Sequence, residues 1–412
     1  MQPTFKKRYY LIFLSSVLGP LSTNGLIPLF PQLTTRFSLN SDAFISFAFF
    51  VYMFPFAILQ LFAGTFSDLT DKKKVVVGGY IIFFVGLIMG LLSILIGIYP
   101  LFLMGFLFQG IGFSFMNPTI LAILSIITPE KKEGLIMGIY NSSAGIGVSG
   151  GAILAGIFAN IYWEGLFILN PIISVISLIL FLYALRNCQV LICRPFDALQ
   201  GESNELKEDI GAFDVIGDKI KAIGQQLREN LKGQILILGC LGFFTFFTVI
   251  TLTNTLGEQI GLNLSHLSKK EVSNYVSIIL TSNGLISVIL SPLTGDILKK
   301  IKPIYMIGMG FVLMIAIIFL PVGNSIWGFL LISLTIYLGS AFIWPALFKA
   351  SLKLNPEARG TNSAIINSLR FLGYSFVGLV YLFIGIPILY FIVLSFLIIS
   401  FVMIGVLIKQ ED

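Results

Sequence analysis

The sequence predicts an all-α membrane protein with twelve transmembrane helices in two pseudo-symmetric bundles of six. Three observations carry that prediction. The 412 residues are 56% hydrophobic and only 11% charged, where a soluble domain has roughly 25% charged residues. The apolar residues fall into twelve runs, each close to the roughly 20 residues that cross the hydrocarbon. Landmarks of the first six runs also return, in order, in the last six.

The first run, 9–31, follows Lys6-Lys7-Arg8 and continues past Pro28. It is too long for a signal-peptide h-region and no small-residue cleavage site follows, so it reads as a membrane span. Runs 43–66, 75–97, 100–127, 134–160 and 165–185 come next. Runs 234–257, 272–295, 304–322, 326–348, 361–383 and 387–408 complete the set. Lys72, Lys73 and Lys74 lie between the second and third runs, and Lys131 and Lys132 between the fourth and fifth. Lys299, Lys300 and Lys302 follow the eighth, Lys353 and Arg359 the tenth, and Lys409 the twelfth. All of these share a side with the N-terminal cluster, whereas the opposite loops hold Arg36, Lys269 and Lys270. The excess of Lys and Arg predicts that both termini are cytoplasmic.

The interruption at 186–233 holds seven basic and eight acidic residues. Phe213, Ile216, Ile220, Ile223, Leu227 and Leu231 recur in it at three- and four-residue steps, the period of an amphipathic helix. The expected organisation is therefore a bundle at 1–185, a cytoplasmic linker with an amphipathic helix at 186–233, and a second bundle at 234–412. The repeat supports that division. Asp68 and Asp296 are 228 apart (296 − 68), each followed by a lysine pair. Pro118 and Pro345, Pro129 and Pro356, and Gly112 and Gly339 are each 227 apart (345 − 118 in the first case). Gly134, Asn141, Ser142 and Gly147 return 226 residues on as Gly360, Asn367, Ser368 and Gly373. A near-constant offset, kept in order, points to two copies of one unit. Parallel repeats of this kind are one transporter architecture, with the substrate site at their interface.

Gly64-Thr-Phe-Ser-Asp68-Leu-Thr-Asp-Lys72-Lys73-Lys74 resembles the loop motif of the major facilitator superfamily, and the resemblance extends over essentially the whole chain. The stretch from Pro28 to Asp68, with Gln60 before the motif, looks like the start of drug-efflux-like members. The resemblance implies the major facilitator fold and alternating access. It also implies that Gly64, Asp68, Lys72 and Lys73 form an interdomain latch, with Asp68 facing the N-terminus of span eleven, and that Asp296, Lys299 and Lys300 form a degenerate second one. Two positions depart from efflux members: Phe106 stands where span four usually carries an Arg, and span five lacks the usual Pro near Gly147, Gly150 and Gly151. Both departures weaken the case for proton-coupled antiport.

The acids point the same way. Of twenty Asp and Glu residues, none falls plausibly at the bilayer midplane. Proton relays in transporters generally use buried Asp, Glu or His. Glu258, near the outer end of span seven, is the remaining coupling candidate. The resemblance implies a cavity lined mainly by spans one, four, seven and ten, with help from two, five, eight and eleven. The polar residues agree with it: Asn24, Gln109, Asn117, Asn141, Asn254, Asn283, Tyr337 and Trp344 lie on such spans, while spans three, nine and twelve are nearly devoid of Asn, Gln and charge. Those eight, with Arg370 and Asn367, are the expected substrate-binding residues. The 39 Phe residues suit an apolar cavity.

Arg370 lies nine residues into span eleven, about 13 Å deep at 1.5 Å per residue. Its repeat mate is Ala144 (370 − 226), so the first half has no matching charge. An intramembrane charge is by default a functional-site hypothesis, and the substrate itself is a candidate counter-charge.

No P-loop, kinase pattern or metal cluster supports an enzyme or an ATP-driven pump. Cys188, Cys193 and Cys240 form no framework, and His266 sits in a polar loop. No cofactor or metal is expected. The predicted function is a secondary transporter, most simply an exporter (an antiporter of multidrug type) of apolar or amphiphilic compounds. A facilitator or importer of an organic anion or polar solute, and a non-transporting membrane sensor, remain open. The expected partners are a small-molecule substrate, protons or another coupling ion, and the lipid bilayer. Nucleic acid is not expected, and the chain is expected to be a monomer in the plasma membrane.

Overall fold

A computed structural model describes residues 6–186, 221, 233–298, 300–354 and 359–411. The amphipathic stretch 213–231, Lys221 apart, lies outside the described residues. Within them, twelve helical segments are long and apolar enough to cross a membrane. In chain order they are α1 (Lys7–Arg36), α2 (Ala43–Leu69), α3 (Lys72–Ile96), α4 (Tyr99–Ile127), α5 (Glu130–Ile161) and α6 (Gly165–Ala184). After the linker come α7 (Gly233–Asn263), α8 (Lys269–Ile297), α9 (Pro303–Val322), α10 (Ile326–Leu354), α11 (Arg359–Ile384) and α12 (Ile386–Glu411). Helices are the expected solution in hydrocarbon, because each satisfies its own backbone hydrogen bonds.

The twelve runs appear where the sequence places them, with two corrections. Span one is not a uniform helix. It opens as 3-10 helix over Lys7–Phe13, is α-helical over Leu14–Asn24, tightens again over Ile27–Leu29, and finishes α-helical over Phe30–Arg36. Pro28 and Pro31 remove two amide donors there, which breaks the regular ladder. Span nine likewise passes from α-helix at Met314 to 3-10 helix over Ile315–Val322, which contains Pro321.

Helix ends are fixed by particular side chains. The Asp71 carboxylate accepts from the Lys73 amide (2.9 Å) and caps the start of α3, satisfying a donor the helix cannot. Gly97 (φ 83°) ends α3 in the left-handed conformation, which glycine adopts without penalty. Arg36 then donates to the Ile94 and Leu95 carbonyls (both 2.7 Å), where a cation complements the helix C-terminus.

Packing follows side-chain size. At Gly112 of α4, a Cβ would sit 2.5 Å from the Phe83 amide of α3, so these two helices approach as only small residues allow. Tyr80 ties three helices together, with Ser15 of α1 and Ser177 of α6 both 2.7 Å from its hydroxyl. The last helix, α12, is the least enclosed of the twelve, as its lack of polar residues predicts; α3 and α9 are enclosed about as much as α2 and α8.

Two seams join the first six helices to the last six. Along one, α2 packs on α11: Ser368 donates to the Ala57 carbonyl (2.9 Å), and Phe56 meets Phe371 edge-on at 4.7 Å. Along the other, α5 packs on α8: Ser149 donates to the Thr281 carbonyl (3.2 Å), Ser277 donates to the Ala152 carbonyl, and Asn160 donates to Asn274 (2.6 Å). At the end far from the termini, Gln32 donates to Ser273 (2.9 Å) and Lys269 to Thr35 (3.1 Å). The two sets of helices are thus closed on each other at this distal end.

Candidate functional site

Arg370 is a charged exception inside the second set of helices. It stands on α11, one helical turn before Tyr374, and faces α7 and α10. Its guanidinium carbon lies 3.8 Å from the Trp344 ring centre on α10, 4.4 Å from Phe246 on α7, and 4.4 Å from its neighbour Phe371. Trp344 is held edge-on by Phe246 (5.8 Å) and Phe348 (4.5 Å). Phe371 in turn touches Phe56 of α2, which packs on Phe113 of α4 at 5.4 Å. The aromatic box around the charge therefore reaches into both sets of helices.

Magnitudes decide what the box does. A charged arginine at mid-bilayer costs about 2.5–3.5 kcal/mol on insertion scales. A desolvated cation–π contact contributes about 2 kcal/mol. Three rings are thus enough to hold the charge without a carboxylate. They do not satisfy its hydrogen bonding. Arg370 Nε is fully enclosed and has no partner among the described residues. The rings hold the cation and leave the Nε–H without an acceptor among the described residues.

Other polar groups on α2, α7 and α11 also lie inside the apolar interior. The Tyr52 hydroxyl of α2 is enclosed without a partner and points at Gly19 of α1, where a Cβ would lie 2.8 Å away. Tyr374 is within electrostatic range of both Tyr52 and Tyr337, and its ring lies 5.9 Å from Phe49. On α7, Thr251 Oγ1 and Asn254 Oδ1 are enclosed and unpartnered. A guanidinium, phenols and an amide carbonyl, set in aromatic walls, can together receive a small molecule with an anionic or carbonyl end and an apolar body.

The expected site residues divide. Arg370, Trp344 and Tyr337 belong to this region, with Asn254 further along α7, where its Nδ2 donates to Ser46 (2.6 Å). Several others bond neighbouring helices or their own. Asn24 donates to the Pro20 carbonyl (3.0 Å). Gln109 accepts from Ser22 (2.6 Å) and faces the Gly86 carbonyl (3.5 Å). Asn117 accepts from Tyr140 (2.9 Å), and Asn283 donates to Ser333 (2.6 Å). Asn367 is partly buried on α11. Asn141 is helical, but its side chain lies outside the described ones. So do those of the latch residues Gly64, Asp68 and Asp296, and Lys299 is outside the described residues altogether. Lys72 is buried, the Lys73 amide donates to the capping Asp71 carboxylate of α3, and Lys300 is exposed. Glu258 accepts from the Tyr381 hydroxyl of α11.

Tyr52, Phe246, Phe371, Tyr374 and Tyr381 were not singled out from the sequence. One signal was available: from Arg370, Tyr374 and Tyr381 follow at four and eleven residues, on roughly one helical face.

The sequence pattern described as "Major Facilitator Superfamily" matches residues 12–378. An uncharacterised MFS-type transporter of Mycobacterium tuberculosis is 22% identical over 363 residues, covering 78% of this chain and 60% of that protein. The inner membrane transport protein YajR of Escherichia coli is 23% identical over 361 residues, covering 86% of this chain and 72% of that one. The chain thus spans less than two thirds of the mycobacterial relative. Among solved structures, a POT family transporter in complex with a thioalcohol-conjugated peptide aligns with a TM-score of 0.73 at 16% identity, over 98% of this chain and 96% of that one. A D-xylose-proton symporter aligns with a TM-score of 0.69 at 14% identity, over 96% of both. At such identities these structures attest the fold.

Proposed function

The chain belongs to the Major Facilitator Superfamily, and we propose on that premise that it carries small amphiphilic organic anions across the membrane by alternating access. It is a multi-pass membrane transporter and not an enzyme. The substrate class rests on one observation: a guanidinium boxed by three aromatic rings, with an enclosed Nε that no described residue satisfies. An anion brought by the substrate completes that hydrogen bonding, and the aromatic walls take its apolar part. Export is the direction favoured by the drug-efflux-like stretch ending at Asp68. The plasma membrane, with cytoplasmic termini, is the location favoured by the basic loops. The loops around Asp68 and Asp296 are the proposed latches at the terminal end.

The test is flux in proteoliposomes with radiolabelled aromatic carboxylates. Wild-type protein should carry them, and Arg370→Gln should lose about tenfold to a hundredfold in apparent affinity, since a hydrogen bond to a charged group contributes about 1.5–3 kcal/mol. Equal transport by both proteins would refute the reading.

A further inference from the structure

At the distal end, three helices converge on Ser46 of α2. Its hydroxyl accepts from Asn254 of α7 (2.6 Å). Its carbonyl lies so close to Gly378 of α11 that a Cβ there would have no room. One turn further out, the same helices present Asp42, Glu258 and Tyr381. The Ser46 amide donates to the Asp42 carbonyl (2.9 Å); Glu258 is four residues beyond Asn254, and Tyr381 three beyond Gly378. Tyr381 donates to Glu258, and Thr34 donates to Asp42 Oδ1 (2.5 Å). Asp42 is within electrostatic range of both Glu258 and Tyr381. Two carboxylates, one from each side of the seam, therefore lie within electrostatic range of each other where α2 closes on α7 and α11.

The surrounding charges do not neutralise them both. Lys269 at the start of α8 faces Asp42 and spends one donor on Thr35 (3.1 Å). Lys270 turns to the Asn160 carbonyl (3.2 Å), and Glu271 to Ser268 (2.7 Å). The other titratable groups facing the pair are Tyr381 and Tyr390, the latter bonded to Thr255 (2.8 Å).

We propose that Asp42 and Glu258 form a shared proton site, filled when the distal seam closes and emptied when it opens. Two carboxylates sharing one site cannot both stay ionised cheaply, so the pair binds a proton when brought together. Separation into water removes the reason to hold it. Burial already pushes the Asp42 carboxyl above its usual range, against the opposing pull of Thr34 and Lys269. The sign follows. The pair binds its proton more tightly closed than open, so closure is favoured at low pH and lost as pH rises through the closed-state value. No ligand at Arg370 enters this account, so its failure and the failure of the substrate reading are separate results.

Asn40 and Ser265 are exposed on opposite sides of the distal seam. Nitroxides on N40C and S265C, with Cys188, Cys193 and Cys240 replaced by serine, report the seam by pulsed paramagnetic distance measurement. In the full chain without ligand, the ratio of long to short distances should rise between pH 5 and pH 8, by about tenfold for each unit separating the closed and open values. Asp42→Asn and Glu258→Gln should each leave the short distance dominant at both pH values. Tyr381→Phe, which removes a bond favouring the ionised Glu258, should move the transition to higher pH. A distance distribution in the wild type that ignores pH overturns the proposal. So does a pH response that survives unchanged in both neutral variants, or a Tyr381→Phe transition that does not move.

Discussion

The two seams are related by the internal repeat, yet they are built from different materials. The α2–α11 seam is aromatic: Phe49, Phe50, Phe54 and Phe56 meet Phe371, Tyr374 and Phe376 at ring distances of 4.7–6.5 Å. The α5–α8 seam is small and polar, with Gly145, Ser149 and Ala152 against Ser277, Thr281 and Gly284. The difference assigns separate tasks. Small residues let two backbones approach and part on short polar bonds. Rings instead provide a broad apolar wall that reaches the Arg370 box through Phe371. The repeat mate of Arg370 is Ala144, on the small-residue side, so the charge occurs beside the aromatic seam only.

The largest effect should come from spoiling the close approach. At Gly284 a Cβ would sit 3.0 Å from the Ser149 amide, and forced packing of this kind costs about 1–3 kcal/mol. Gly284→Leu should disfavour the closed seam by about five- to 150-fold and take proteoliposome transport to background, while size-exclusion elution stays unchanged. Next comes the charge itself, Arg370→Gln, with the tenfold to hundredfold loss of anion affinity given above and little change in yield. Trp344→Ala removes the nearest ring of the box. At about 0.5–2 kcal/mol for a cation–π contact, anion affinity by isothermal calorimetry should fall about two- to thirtyfold, and Trp344→Phe should recover most of it. The smallest effect is expected far from the aromatic seam. Gln109→Leu deletes an interhelical bond worth about 0.6 kcal/mol, so it should lower the melting temperature slightly and change anion affinity less than about twofold. A large loss of affinity there would dissolve the contrast between the Arg370 box and the helix-tying amides.

Much of the fold is legible in the sequence because hydrocarbon imposes one length and one kind of secondary structure. The repeat is equally visible, since Asp68, Pro118 and Gly112 keep their spacing to Asp296, Pro345 and Gly339. The 3-10 turns of α1 are less visible: Pro28 and Pro31 announce a disturbance, but not whether the chain kinks or tightens. In the site, Arg370 is found by its charge alone. Its box is not, because Phe246 and Phe371 are two among 39 phenylalanines, and only the packing of α7, α10 and α11 selects them. The amides mislead for a related reason. Gln109 and Asn117 look the same in sequence whether they line a cavity or tie helices together, and the partners Ser22 and Tyr140 are distant in the chain.

The central claim is that the counter-charge of Arg370 belongs to the substrate. A double cycle tests it most directly: an aromatic carboxylate and its neutral amide, each bound by wild-type protein and by Arg370→Gln, with calorimetric affinities. The account predicts that wild-type protein prefers the acid by at least about tenfold, or 1.4 kcal/mol, and that Arg370→Gln abolishes the preference. An equal preference for the acid in both proteins would contradict it.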